Sequence, residues 1–151
     1  MNVVLPHLPA LQVVIPLIAA PLCLLAGRAS LAWIIAFLAS ACATAAAAIL
    51  AYQTLHHGPI SYHMGGWAPP WGIEYVVDTA NAFILLLVSG IATVVLLYCP
   101  SSVSNEIRAG REHMFYCMFI LCLTGLLGIT ITGDAFNVFV FLEISSLSSY
   151  A

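Results

Sequence analysis

Five apolar runs separated by short polar or turn-rich breaks organise the chain: about Leu8 to Ala26, Ser30 to Leu55, Thr79 to Cys99, Met114 to Thr132, and a fifth that starts at Ala135. The first four are each close to or beyond the roughly 20 residues that cross a hydrocarbon core as a helix. The pattern predicts an all-α, polytopic membrane helix bundle of about five transmembrane helices, with a short outward hairpin. Pro9, Pro16 and Pro21 interrupt the first run, which neighbouring helices accommodate in a bilayer. No Lys or Arg precedes that run, so it lacks the charged start of a signal peptide and is expected to stay in the mature protein. In the second run, Ala39 to Ala48 (ASACATAAAA) carries almost no bulk, which lets another helix approach closely. No repeat of solenoid length and no linker divides the chain, so residues 1–151 read as a single membrane domain.

The longest break, from about His56 to Asp78, is aromatic and rich in turn residues. Gly65-Gly66 and Pro69-Pro70 punctuate it, and Ile73 to Val77 has the β-branched content of a strand, which together predict a small surface hairpin. Trp67, Trp71, Tyr62 and Tyr75 suit the membrane–water interface. His56, His57 and His63 have neither helical spacing nor an acidic partner visible in the sequence, so no metal site is expected of them.

Composition narrows the class further. Apolar residues make up 63% of the chain and charged residues 6%, against about 25% charged in globular domains. The three basic residues are Arg28, Arg108 and Arg111, and lysine is absent; a net charge of −3 leaves no nucleic-acid footprint. Arg28 lies between runs one and two, and Arg108 and Arg111 lie between runs three and four. An alternating path puts all three on one side, the cytoplasm by the positive-inside rule. The N-terminus, the 56–78 loop and the turn at Gly133-Asp134 then face outward. Cys23, Cys42, Cys99, Cys117 and Cys122 sit in or beside apolar runs without a CxxC pair, which reads as helix packing rather than a disulfide framework or zinc site.

Glu143 is the exception to this economy of charge. It interrupts the run Ala135 to Tyr150 (AFNVFVFLEISSLSSY), about 13 Å along a helix that starts after Asp134. A carboxyl at that depth is costly and is characteristically kept for ion or proton passage, although a neutral Glu bonded to a neighbouring helix is the structural alternative. Its helical neighbours at three, four and seven residues are Phe136, Phe139, Val140, Ser146, Leu147 and Tyr150. No cation within these residues can reach it, so Glu143 is either neutral at rest or paired with a group beyond them. Asp78 and Asp134 each stand immediately before an apolar run, where a helix cap explains them, with a role in proton uptake as the alternative. Glu106 and Glu112 share the segment SSVSNEIRAGREH with two arginines, and Arg108 and Glu112 have the spacing of a helical ion pair. The last run covers only about 25 Å of helix and ends without a polar flank, as expected of the N-terminal portion of a longer subunit.

The segments TGDAFNVFVFLEISSLSSYA (Thr132 to Ala151) and GGWAPPWGIEYVVDTANAF (Gly65 to Phe83) resemble the proton-conducting antiporter-like subunits, especially the D-type subunit of Mrp-type Na+/H+ antiporters. Related subunits occur in respiratory complex I and membrane-bound hydrogenases. The resemblance implies that Glu143 matches a glutamate that pairs with a lysine on a later, broken helix, and that the pair gates proton movement through the membrane. It further implies a subunit of a multisubunit monovalent cation/H+ antiporter in a bacterial plasma membrane, working with other antiporter subunits, the lipid bilayer, H+ and Na+ or K+. A redox-driven pump subunit, as in complex I or a hydrogenase, is one alternative; a non-transporting structural remnant is another. Flavin, nucleotide-loop and cysteine redox motifs are missing, so no cofactor or metal is expected and the chain itself does no electron chemistry. The reading is a transporter subunit rather than an enzyme, or a translocase subunit if the assembly is complex I-like. The orientation is checked by cysteine labelling: Gly110→Cys should react from the cytoplasm and Gly66→Cys from outside, and reaction of both from one face would overturn the helix count.

Overall fold

In a computed structural model describing residues 5–67, 71–108 and 110–151, the chain forms five helices and one hairpin. These are α1 (Leu8–Ala26, after one 3-10 turn at Leu5–His7), α2 (Ala29–His57), β1 (Ile60–His63), β2 (Glu74–Val77), α3 (Thr79–Glu106), α4 (Glu112–Ile131) and α5 (Ala135–Tyr150). Helices α1 to α4 have the length and composition of membrane spans, whereas α5, with 16 residues, is shorter. The bundle is a multi-pass membrane fold. A helix satisfies its backbone polar groups internally, which lipid cannot do for it.

Packing follows from where the small residues fall. Ala32, Ala36, Ala43, Ala47 and Leu50 of α2 are fully buried and recur at three, four or seven residues, so they form one face. That helix lies between α1 and α3, while α1 and α3 both also touch α4. Large apolar residues point the other way, as at Leu25, Val94 and Tyr98. A bundle whose contact faces are small and whose outer faces are bulky is solvated by lipid. Hydroxyl groups add links between α2 and α3: Thr93 Oγ1 lies 2.8 Å from Ser40 Oγ and 2.9 Å from Thr44 Oγ1. Cys23, Cys99 and Cys117 are packed inside, but Cys42 lies on the exposed side of α2.

Helix α3 runs seven residues past the predicted end at Cys99, through Pro100 to Glu106. Proline has no N–H and deprives the carbonyl four residues earlier of its partner. Here that carbonyl belongs to Leu96, and the Trp33 indole N–H donates to it at 2.7 Å. Beyond the proline, Ser101 Oγ donates to the Tyr98 carbonyl at 3.0 Å and Asn105 Nδ2 to the Ser101 carbonyl at 2.7 Å. The following connector is extended at Ile107 and turns at Gly110, where φ is +90°. Arg108 and Glu112 therefore share no helix, and the ion pair their spacing suggested does not form.

The hairpin pairs β1 with β2 antiparallel, with Ile60 opposite Val77 and His63 opposite Glu74. The strand is one residue shorter than predicted, starting at Glu74, and Pro69-Pro70 lie outside the described residues. His63 does have an acidic partner: the register brings its Nε2 to 3.6 Å from Glu74 Oε1, a cross-strand relation that linear spacing does not reveal. Tyr62 in turn reaches back to the 3-10 turn before α1, its hydroxyl 2.9 Å from His7 Nδ1.

The Pro100 clasp makes a direct prediction. Trp33→Phe keeps an aromatic ring but strands the Leu96 carbonyl, and should cost about 1 kcal/mol in a steric-trap or detergent unfolding assay. In a Pro100→Ala background, where residue 100 regains its N–H, the same substitution should cost less; equal losses in both backgrounds would dissociate the tryptophan from the proline.

Candidate functional site

The site is built on α5, and two features outside α5 set its position. At its start, Asp134 is the N-cap: Oδ1 accepts from the Phe136 N–H at 3.1 Å and Oδ2 from Asn137 Nδ2 at 3.2 Å. The preceding turn is pinned to the hairpin, because Gly133 N–H donates to the Glu74 carbonyl at 2.9 Å and Thr132 bridges to Tyr75. A Cβ on Gly133 would come within 2.9 Å of Val76 Cγ2, so a glycine lets β2 lie this close. Asp78 does for α3 what Asp134 does for α5, accepting from the Asn81 N–H at 2.7 Å. Asn81 Nδ2 also donates to the Val76 carbonyl at 3.0 Å, tying that cap to β2. Tyr75, inside this junction, has its phenol pKa pushed up by burial.

The second feature is the contact with α4. A Cβ on Gly125 would lie 2.5 Å from Ser145 Cβ and 2.7 Å from the Phe141 carbonyl oxygen, and one on Gly128 would collide with the Phe141 ring. Gly125 and Gly128 thus form a shallow seat that receives Phe141 and Ser145. Glu143 lies two residues from each, about 200° round the helix, and so points away from α4. It is exposed at the surface of the bundle, on a face shared with Phe136 (72% exposed), Phe139 (62%) and Leu147 (66%).

Among the described residues that face carries no second charge. Matching Phe141 to Gly128 and Ser145 to Gly125 puts Glu143 level with Leu126 and Leu127, about 23 Å along α4 from Arg111. Among the described residues Glu143 has no hydrogen-bond or ion-pair partner. Asp134 and Glu143 share one helix at about 13 Å and do not touch; Asp78 caps α3. The structure brings Asp78 and Asp134 to a common hairpin and leaves Glu143 alone at mid-helix. Sequence reasoning missed the glycine seat, although the GLLG spacing at 125–128 is a small-residue signal of close helix approach; it named the turn at Gly133 but not the approach of β2 to it, and it missed Asn137.

No family model matches the chain. Among curated proteins it is 43% identical over 149 residues to the N-type subunit of the NADH-quinone oxidoreductase of Desulforudis audaxviator, covering 96% of this chain and 29% of that protein. It is 40% identical over 89 residues to the D-type subunit of a probable K+/H+ antiporter of Rhizobium meliloti, covering 59% of this chain and 16% of that one. With the D-type subunit of the Na+/H+ antiporter of Alkalihalophilus pseudofirmus it shares 32% identity over 101 residues, 67% of this chain and 20% of that one. Among solved structures, an archaeal membrane-bound sulfane sulfur reductase superposes with a TM-score of 0.85 at 27% identity, over 95% of this chain and 29% of the other. The Mrp complex of Dietzia sp. gives 0.83 at 24% identity, over 98% and 27%. The chain thus spans less than a third of the length of these relatives.

The glycine seat is tested by adding volume to it. Gly128→Ala should destabilise the helix pair by about 2 kcal/mol through overpacking. Gly90→Ala, in open space on α3, should be neutral or raise stability by about 0.5–1 kcal/mol; a neutral Gly128→Ala would mean that α5 is not seated there.

Proposed function

Since the chain belongs to the family of antiporter-like membrane subunits represented by the D-type antiporter subunits and the N-type subunits of NADH-quinone oxidoreductases, we propose that it is the N-terminal portion of a proton-translocating subunit of a monovalent cation/H+ antiporter. Glu143 is the mid-membrane proton carrier in this reading. The observation that carries it is an unpartnered carboxyl at the middle of an apolar helix face, turned away from every helix among the described residues. A carboxyl so placed is costly in lipid and needs a counter-charge or a proton. The remaining length of such a subunit supplies the surface that meets this face and the cation that pairs with Glu143, while other subunits and the bilayer complete the assembly. Relatives are named for both K+ and Na+, and the proposal takes Na+ as the coupling ion, with K+ the competing case. The subunit sits in a bacterial plasma membrane with its N-terminus outward.

A redox-driven pump subunit is the second reading, favoured by the match to a NADH-quinone oxidoreductase subunit over nearly the whole chain. Proton transfer at Glu143 is common to both readings. They separate in vesicles of the full assembly: an antiporter dissipates an imposed pH gradient when Na+ or K+ is added, whereas a pump needs its electron donor.

Substitution separates carrier from cap. Glu143→Gln keeps shape and hydrogen bonding but removes the titratable proton, so Na+-driven proton flux in vesicles should collapse while the complex still assembles, and Glu143→Asp should keep part of it. Asp134→Asn can still cap α5, so it should leave flux close to normal and cost at most about 1 kcal/mol of stability. Unchanged flux in Glu143→Gln would remove the carrier role; loss of flux in assembled Asp134→Asn would make Asp134 part of the proton uptake route.

A further inference from the structure

Gln12 of α1 is fully buried, and among the described residues neither its Nε2 nor its Oε1 has a hydrogen-bond partner. Its main-chain carbonyl also lacks its helical donor, because Pro16, four residues on, has no N–H. One residue therefore presents two N–H groups and a side-chain oxygen without partners, beside a main-chain oxygen without its donor. Buried groups of this kind are costly until protein or water meets them. Gln12 lies on the face of α1 that also carries Leu8, Pro9, Val13 and Pro16, all buried, in the helix that packs against α2 and α4.

Both side-chain atoms are enclosed, so a segment or subunit docking on the outside of the bundle cannot reach them. A cation would suit the oxygens and meet the N–H groups with the wrong sign; an anion reverses the mismatch. Water both donates and accepts, and at least two molecules are needed, because one water cannot take both N–H groups of a single nitrogen. No water-sized space adjoins the enclosed amide in this packing, so hydration requires the seam to part.

Two features show where it parts. At the hairpin end of the bundle a cavity of about 360 Å³ is lined by Leu5, Pro6 and Pro9, by Gln53 and His57 of α2, and by Ile60 of β1. That is many times the roughly 30 Å³ share of one water. Pro9 precedes Gln12 by three residues on the same buried face, so the cavity ends about 4.5 Å along the helix from it. The first two turns of α1 are also lightly held. Among the described residues no side chain from Leu8 to Ile15 hydrogen-bonds to α2 or α4, whereas beyond Pro16 the Cys23 thiol donates to the Ala32 carbonyl at 3.4 Å. Pro16 divides the two parts, and proline is where helices bend.

We propose that Gln12 is an internal hydration site, filled from this cavity when the first two turns of α1 tilt about Pro16. The amide and the carbonyl released by the proline hold the waters, and closing the seam expels them.

The test uses the full-length protein in lipid nanodiscs, carrying one cysteine at a time and probed with a small water-soluble thiol reagent, since the hydrated thiolate is the form that reacts. A cysteine introduced as Val13→Cys, beside Gln12 at a position 2% exposed, should react at a measurable rate. Native Cys23, buried on the same face but beyond Pro16, should not. Gln12→Met keeps the length of the side chain and removes the amide, and should slow the reaction at position 13 about tenfold, the factor expected of one unsatisfied buried group. Gln12→Leu should act alike, which preserves the comparison if one of the two fails to fold. Pro16→Ala, which returns an N–H to the Gln12 carbonyl, should slow the reaction as well. An inert Val13→Cys would overturn the hydration site, as would a rate unchanged by removal of the amide. Equal reaction of Cys23 would mean that α1 opens as a whole, and an unchanged rate in Pro16→Ala would remove the proline as hinge; either result overturns the tilt.

Discussion

The rotation of α5 about its own axis is the constraint on which the candidate site depends. Phe141 and Ser145 can lie against α4 only because residues 128 and 125 have no Cβ, and that contact decides where every other side chain of α5 points. Because a helix advances about 100° per residue, a position midway between Phe141 and Ser145 has to face away. Glu143 is that position. A two-residue change in which side chains seat against α4 would turn the carboxyl toward the bundle, where Leu127 and Ile131 are buried and, among the described residues, no cation lies at that depth.

Elsewhere the polar groups are satisfied locally, which is what membrane helices require. The Asp78 and Asp134 carboxylates serve the first turns of their own helices, Trp33 serves the carbonyl released by Pro100, and serine and threonine hydroxyls donate back to carbonyls one turn earlier. Gln12 breaks this rule inside the bundle. It is fully buried, its amide has no partner among the described residues, and Pro16, four residues on, withholds the N–H that would otherwise bond its carbonyl. Glu143 breaks it on the outside. The two differ in kind, since a neutral amide is tolerated at modest cost whereas a carboxylate is not.

Much of the helical framework was legible from hydropathy, because runs of about 20 apolar residues have one solution in lipid. The caps were legible too, since Asp before an apolar run has a local explanation. The end of α3 was misread at Pro100 because the bond that rescues the helix comes from Trp33, 63 residues from Leu96 in sequence. The His63–Glu74 pair and the bridge from Tyr75 to Thr132 were hidden for the same reason: strand register and chain return are set by tertiary contacts. Glu143 stood out by composition alone, but its direction could not be read until the glycine seat fixed the helix.

That direction is the central claim, and the native Cys122 tests it. Its sulfur lies 3.4 Å from Ser149 Oγ, whereas Tyr150, seven residues from Glu143 and on its face, is 88% exposed. In the full-length protein in membranes, with every native cysteine but Cys122 replaced, mild oxidation should join Cys122 to a cysteine introduced as Ser149→Cys and not to one introduced as Tyr150→Cys. The two positions have nearly the same depth, so only rotation separates them. Cross-linking of position 150 in preference to 149 would put the Glu143 face against α4 and contradict the account.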